Sequence, residues 1–132
     1  MATFHFELVS PAKLVFSGEV TQVDVPGEEG EFGVLADHAP YVATLKPGVL
    51  TIYGDGPPKR LVVGGGFAEV GNSGLTVLAE RAVSVDELDA AMVAQALQNA
   101  EEDVADAKDD AARDKARMRL DQLNLLKSAL GH

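Results

Sequence analysis

All six prolines and twelve of the thirteen glycines fall before residue 84, and only Gly131 lies beyond it. Gly and Pro set turns and interrupt helices, so this distribution divides the chain into a segment that turns often and one that hardly turns. In the first segment Phe4, Phe6 and Leu8 alternate with His5, Glu7 and Val9, the period of a half-buried strand. Val20–Val25 repeats the pattern. Val49–Tyr53, Arg60–Val63, Phe67–Val70 and Leu75–Ala79 follow, separated by Pro47-Gly48, the run Gly54-Asp55-Gly56-Pro57-Pro58 and Gly71-Asn72-Ser73-Gly74. Closely spaced strands without intervening helices predict an antiparallel sandwich or barrel. A domain over 1–84 would bury about 60% of its unfolded surface, enough for an independent core.

The second segment, 85–132, reads as two helices. Ser84 with Glu87 three residues later has the spacing of a capping box, and Asp86 and Glu87 suit the positive end of a helix dipole. Leu88, Met92, Ala96 and Ala100 recur every four residues, with Val93, Leu97 and Val104 widening the stripe. Lys108-Asp109-Asp110 predicts a turn. Ala112, Ala116, Leu120, Leu123, Leu126 and Leu130 then mark the inner side of a second helix, which Gly131 is placed to stop. Nine carboxylates lie between Asp86 and Asp110 against the single Lys108. Arg113, Lys115, Arg117, Arg119 and Lys127 follow against Asp114 and Asp121. An acidic helix beside a basic one predicts an antiparallel hairpin. The expected architecture is a β-domain followed by a two-helix hairpin.

Composition excludes several functions. The absence of cysteine removes disulfides, thiolate metal sites and a thiol nucleophile. A formal net charge of −10 repels a phosphate backbone, so no nucleic acid partner is expected. The amino terminus lacks the basic and apolar regions of a signal peptide, and no window is apolar enough to span a membrane, so contact with a membrane is expected only through a partner. Catalytic patterns fare no better. Glu28, Glu29 and Glu31 read as one solvated acidic loop, with nothing to separate their pKa values. His5, His38 and His132 lack metal-ligand spacing: His5 reads as a strand surface residue, His132 as a terminal one, and His38 sits in a loop constrained by Gly33, Asp37 and Pro40. Gly64-Gly65-Gly66 fits neither a dinucleotide nor a phosphate-loop fingerprint, and is read as a bulge or a close backbone contact. In Gly71–Leu75, Leu75 replaces the closing glycine of a nucleophile elbow. The chain is expected not to be an enzyme, and to need no metal or other cofactor.

The run from Pro26 to Pro40, Pro-Gly-Glu-Glu-Gly-Glu-Phe-Gly-Val-Leu-Ala-Asp-His-Ala-Pro, resembles the signature loop of the epsilon subunits of bacterial F-type ATP synthases, counterparts of the mitochondrial delta subunit. Phe16-Ser17-Gly18 with Val20, Leu45–Leu50, Gly65–Val70 and Thr76–Glu80 match in the same order, so the resemblance spans essentially the whole chain. It implies an amino-terminal β-sandwich of about ten strands, residues 1–84, and a carboxy-terminal helical hairpin, residues 85–132. It also implies a non-catalytic rotor subunit of the central stalk, coupling proton-driven rotation of the c ring to ATP synthesis. The subunit would be peripheral on the cytoplasmic face of the bacterial inner membrane. By the same resemblance, Glu31 and His38 contact the c ring and Ser10 contacts the gamma subunit. Arg113, Lys115, Arg117 and Arg119 would approach the beta subunits when the hairpin extends transiently into the alpha/beta catalytic head. Some relatives hold ATP through an Ile/Leu-Asp-x-x-Arg-Ala motif. Here it reads Leu88-Asp89-Ala90-Ala91-Met92-Val93, and with Met92 in place of the arginine, weak or absent ATP binding is expected. Two alternatives remain open: a nucleotide-sensing inhibitory module of the same complex, and a stand-alone sandwich adaptor with a helical tail.

Overall fold

The computed structural model describes residues 2–130. The chain forms two compact units, Met1–Ser84 and Val85–His132. Among the described residues the first holds eight strands: β1 Phe4–Val9, β2 Leu14–Val20, β3 Gln22–Gly27, β4 Gly30–Leu35, β5 Tyr41–Thr44, β6 Gly48–Tyr53, β7 Lys59–Gly71 and β8 Gly74–Ser84. All belong to one hydrogen-bonded sheet in the order β2-β1-β8-β7-β6-β3-β4, with β5 paired to β7.

The two longest strands explain how one sheet becomes two layers. The first half of β7 pairs with β6 (Leu50↔Leu61) and its second half with β5 (Ala43↔Ala68). Likewise β8 lies parallel to β1 at its start (Phe6↔Leu75) and continues to Leu61↔Ser84 at its end. One layer is therefore β2-β1-β8-β7-β5 and the other β8-β7-β6-β3-β4, ten strand segments in all. The β-sandwich followed by a helical hairpin is as the sequence implies, and its pairings are antiparallel as expected except for the parallel pair β1 and β8.

The crossing lies at Gly64-Gly65-Gly66. Before it Leu61 and Val63 are buried, and after it Ala68 and Val70, so the inward side changes from odd to even positions. A regular pleat cannot make that change. Two successive positive φ angles, 70° at Gly65 and 100° at Gly66, make it here. Pairing stays in step through the crossing (Val63↔Ala82, Phe67↔Leu78), so no bulge is present. What the glycines provide is close approach: a Cβ on Gly66 would collide with the Leu78 carbonyl oxygen. The loop after β5 ties the layers together, Glu28 N donating to Thr44 O at 2.9 Å, Lys46 N to Pro26 O at 3.0 Å and Leu45 N to Gly66 O at 2.9 Å. Phe4, Phe6 and Leu8 fill the core with Val23, Val25 and Leu50, as the alternation predicts.

Several boundaries differ from the sequence reading. Val20–Val25 is not one strand, because the chain passes from β2 to β3 at Thr21. Residues Gly30–Leu35, expected as loop, form strand β4, so Glu31 is a strand residue and only Glu28-Glu29 occupies the turn. Ser84 is the last rung of β8 and caps no helix. Asp86 and Glu87 lie in a separate 3₁₀ turn, Val85–Glu87.

Helix α1 is Ala90–Asp106 and helix α2 is Asp110–Leu130. Asp89 caps α1, its Oδ1 accepting from Ala91 N at 2.9 Å and Met92 N at 3.2 Å, and Asp109 Oδ1 accepts from Ala112 N at 2.7 Å at the start of α2. Val93, Leu97 and Ala100 pack against Leu123, with Ala96, Leu120, Leu126 and Leu130 at the margin. Met92, expected in the stripe, is 71% exposed. Among the described residues no ion pair joins the helices. Arg113 pairs instead with Asp110 at 3.1 Å, within α2. Apolar packing, rather than the opposed charges, holds the pair. Gly131 and His132 lie outside the described residues.

Candidate functional site

Among the described residues no polar or charged side chain is buried, and no cluster of His, Cys, Asp or Glu has the arrangement to hold a metal ion. The two perturbed groups, His5 beside Glu7 and Glu19 and Tyr53 beside Asp24, lie on the surface of the sheet unit. The functional features are surfaces.

The first surface is the outer face of the β2-β1-β8-β7-β5 layer. Pairing sets its rows. One row runs Leu14, Val9, Leu78, Phe67, Thr44 across five strands. Leu14 is 56% exposed, Phe67 40% and Leu78 38%. The adjacent row runs Ser17, Glu7, Thr76, Glu69, Val42, and Val42 is 64% exposed. Strand alternation places Glu80 on the same face beyond Leu78. A band of uncovered apolar side chains therefore lies between carboxylates. Such a band on the open face of a sheet marks a contact surface.

Ser10 stands at the end of that band. It follows Val9 in the β1–β2 turn, its N donating to Lys13 O at 2.9 Å and its Oγ to the same oxygen at 3.3 Å. At the far edge His5, on β1, sits between two acids: Nε2 is 3.1 Å from Glu7 Oε1 and Nδ1 is 3.4 Å from Glu19 Oε2. Thr3 Oγ1 donates to Glu19 Oε1 at 3.2 Å.

The second surface is the β4 edge, which pairs only with β3. Glu31 is exposed at its start, and His38 lies three residues past its end, so the strand separates the two rather than bringing them together. His38 N donates to Leu35 O at 3.0 Å. Its Nδ1 must donate to Ala39 O at 2.8 Å, since a carbonyl only accepts. The ring lies 6.4 Å from Tyr41, which in turn meets Phe32 edge-on at 5.3 Å. Behind the edge, Asp24 accepts from Gln22 Nε2 at 2.7 Å and from Tyr53 OH at 3.0 Å. That hydrogen bond, then the Asp24 charge, partial burial and the charge of Glu31, hold the Tyr53 hydroxyl above its ordinary pKa. Gly33 leaves space for the pair, since a Cβ there would stand 3.1 Å from Asp24 Oδ1.

A cavity of about 250 Å³ at one end of the sheet unit is lined by Thr3, His5, Glu19, Leu35, His38 and Asn72. Another, of about 280 Å³, is lined by Glu28, Glu29, Phe32, Tyr41 and Val42. On the hairpin, Arg113, Lys115, Arg117 and Arg119 are all exposed, and Asp89 is engaged at the amino end of its own helix, with Met92 turned to solvent. Leu88 is half-buried just before that cap. The exposed apolar band escapes a reading of the sequence because its members are far apart in the chain. The one local sign is that Phe67 and Leu78 interrupt the alternation of their strands.

Residues 3–85 match the family described as ATP synthase, Delta/Epsilon chain, beta-sandwich domain. The chain is 55% identical over 130 residues to the ATP synthase epsilon chain 1 of Nitrobacter hamburgensis, covering 98% of this chain and 96% of that one. It is 59% identical over 121 residues to the ATP synthase epsilon chain of Rhodopseudomonas palustris strain BisA53, covering 92% of this chain and 89% of that one. Among solved structures, a chain of the Euglena gracilis mitochondrial ATP synthase, determined as OSCP, F1 and c-ring, superposes with a TM-score of 0.84 at 29% identity, over 98% of this chain and 82% of that one. A chain of the Tetrahymena thermophila mitochondrial ATP synthase central stalk and c-ring shares the fold, with a TM-score of 0.67 at 17% identity, over 98% of this chain and 97% of that one.

Proposed function

The chain belongs to the ATP synthase delta/epsilon family, as an epsilon chain of the central stalk, and from that premise we propose that it is a non-catalytic rotor part which docks the gamma subunit on one sheet face and rests on the c ring along a sheet edge. The exposed band Leu14–Val9–Leu78–Phe67, bordered by Glu7, Glu69 and Glu80, carries the reading. It offers gamma an apolar surface with an acidic rim, and Ser10 lies at its end. Glu31 and His38 mark the two ends of the edge that faces the ring. Torque through such a joint needs a base that does not shear, and the doubly shared strands β7 and β8 supply one, because either layer can move only by breaking rungs of the other.

No helix among the described residues is long and apolar enough to cross a membrane, and the subunit's place on the cytoplasmic face of the inner membrane follows from its partners. Arg113, Lys115, Arg117 and Arg119, exposed on α2, suit approach to an acidic surface of the beta subunits. ATP is not held by the hairpin in this reading. Asp89 is committed to capping, and Met92 supplies no charge-assisted contact, a loss worth more than about 1 kcal/mol. A micromolar dissociation constant for ATP in calorimetry of the full chain would favour a nucleotide-sensing module instead.

The test of docking is the Phe67→Asp, Leu78→Asp double variant of the full chain. It is expected to fold, because both side chains are on the solvent face, and to lose co-purification with gamma. Undiminished co-purification would remove this face from the account.

A further inference from the structure

We propose that His5 is a proton-operated charge switch at the rim of the docking face, holding Glu7 and Glu19 when protonated and releasing both carboxylates to basic side chains of the docked partner when neutral. The inference rests on the reading that this face binds gamma.

The geometry points to it first. Both ring nitrogens of His5 face carboxylate oxygens, Nε2 at 3.1 Å and Nδ1 at 3.4 Å. A neutral imidazole carries one N–H, so one nitrogen would then set its lone pair against an anion; only the imidazolium donates to both. The bond from Glu7 raises the His5 pKa above its ordinary value, partial desolvation works against this, and Glu19 adds to the rise. Strand β8 places Gly74 beside His5 and Thr76 beside Glu7, and Glu69 follows on β7. From β2 comes Glu19, already bonded to Thr3, and His38 shares the adjoining cavity.

The sign of the effect follows. With a raised pKa the clamp is present at low pH and is lost as pH rises through the raised value. Clamped, the two carboxylates and one imidazolium carry a single net negative charge; unclamped, they carry both negative charges and are free to turn outward. A partner that meets Glu7, Glu19 and Glu69 with Lys or Arg is then held more tightly, whereas one with an acidic rim is held less tightly. Glu69 and Glu80 on the same face are negative, and the cation Lys13 lies at its other end in the β1–β2 turn, so the His5 end selects a basic rim.

The experiment measures binding of the full-length chain to the purified gamma subunit from about pH 5.5 to about pH 8.5, the range of histidine titration. Wild type is expected to tighten by about two- to fivefold with rising pH, the scale of one rim charge. His5→Gln is expected to bind as wild type does at high pH and to lose this step. Because gamma is common to both series, its own titration cancels in the comparison. A His5→Gln variant that keeps the wild-type pH dependence overturns the switch. Leu78→Asp separates the two readings. If it abolishes binding while wild type shows no step, the switch alone is wrong; if it binds normally, the docking face fails and the switch with it. NMR titration of the His5 ring gives an independent readout: Glu7→Gln is expected to lower its pKa, and an unchanged value overturns the proposal.

Discussion

The sheet unit closes its core with Phe6, Leu8, Leu50 and Leu75, each fully buried, whereas the helical unit closes its own with Val93, Leu97, Ala100 and Leu123. The larger core, set between two interlocked layers, buries more apolar area than the seam of four buried residues between two helices. The backbones differ as well. Strands β7 and β8 belong to both layers, and β7 crosses between them through Gly65 and Gly66, where any other residue would be strained. Helices α1 and α2 pack on each other through Val93, Leu97, Ala100 and Leu123, with an Asp cap at the start of each. The contrast leads to an expected division of labour, in which the sheet unit keeps its shape under load and the hairpin is remodelled at small cost.

The largest effect is expected where the sheet unit has least freedom. Gly66→Ala forces a Cβ into the Leu78 carbonyl at a φ of 100°, and is expected to cost the sheet unit about 4 kcal/mol or more in urea unfolding. A loss under about 1 kcal/mol would mean that the crossing is not rigid. Next come matched truncations. Phe6→Ala is expected to remove about 3–5 kcal/mol from the sheet unit. Leu97→Ala is expected to remove about 2 kcal/mol from the hairpin, read as lost helical circular dichroism with the sheet unit's transition unmoved. Equal effects would erase the contrast.

The cap gives a smaller step. Asp89→Ala is expected to destabilise α1 by about 1 kcal/mol and Asp89→Asn by much less, measured by helicity against temperature. The smallest expected effect concerns pH. Tyr53 has a raised pKa, so its bond to Asp24 supports the fold below the ordinary tyrosine range and is lost as pH rises through the raised value. Ultraviolet titration of the two tyrosines is expected to show Tyr53 ionising after a free tyrosine would, and Tyr53→Phe to abolish that late phase. A transition at the ordinary tyrosine pH would remove the Asp24 bond from the account.

The division into sheet and hairpin was legible because turn residues and their absence are local signals. The strand of Phe4, Phe6 and Leu8 was legible for the same reason. Strand β4 was not: Gly30 and Gly33 look like loop, yet pairing with β3 makes them strand, and Gly33 leaves room for Asp24. The three glycines of β7 read as a bulge or a close backbone contact; the chain turns a corner there without losing register, and close contact is what they provide. Ser84 and Glu87 had capping spacing, but Ser84 is held as the rung opposite Leu61, and Asp89 takes the role. Met92 fell in a plausible stripe that Val93 and Leu97 fill instead. The site was read in pieces. Glu31, His38 and Ser10 came from resemblance to a family, while the band formed by Leu14, Val9, Leu78 and Phe67 depends on strand register, which no local pattern specifies.

Native-state hydrogen exchange on the full chain tests the central contrast most directly. Amides of β7 and β8 on either side of the glycine crossing, such as Val63, Ala68 and Val77, are expected to exchange only through global unfolding of the sheet unit, and those of α1 and α2 at least about a hundredfold faster. Equal protection in both units, or faster exchange at the crossing than in the hairpin, would contradict a stiff base joined to a remodellable pair of helices.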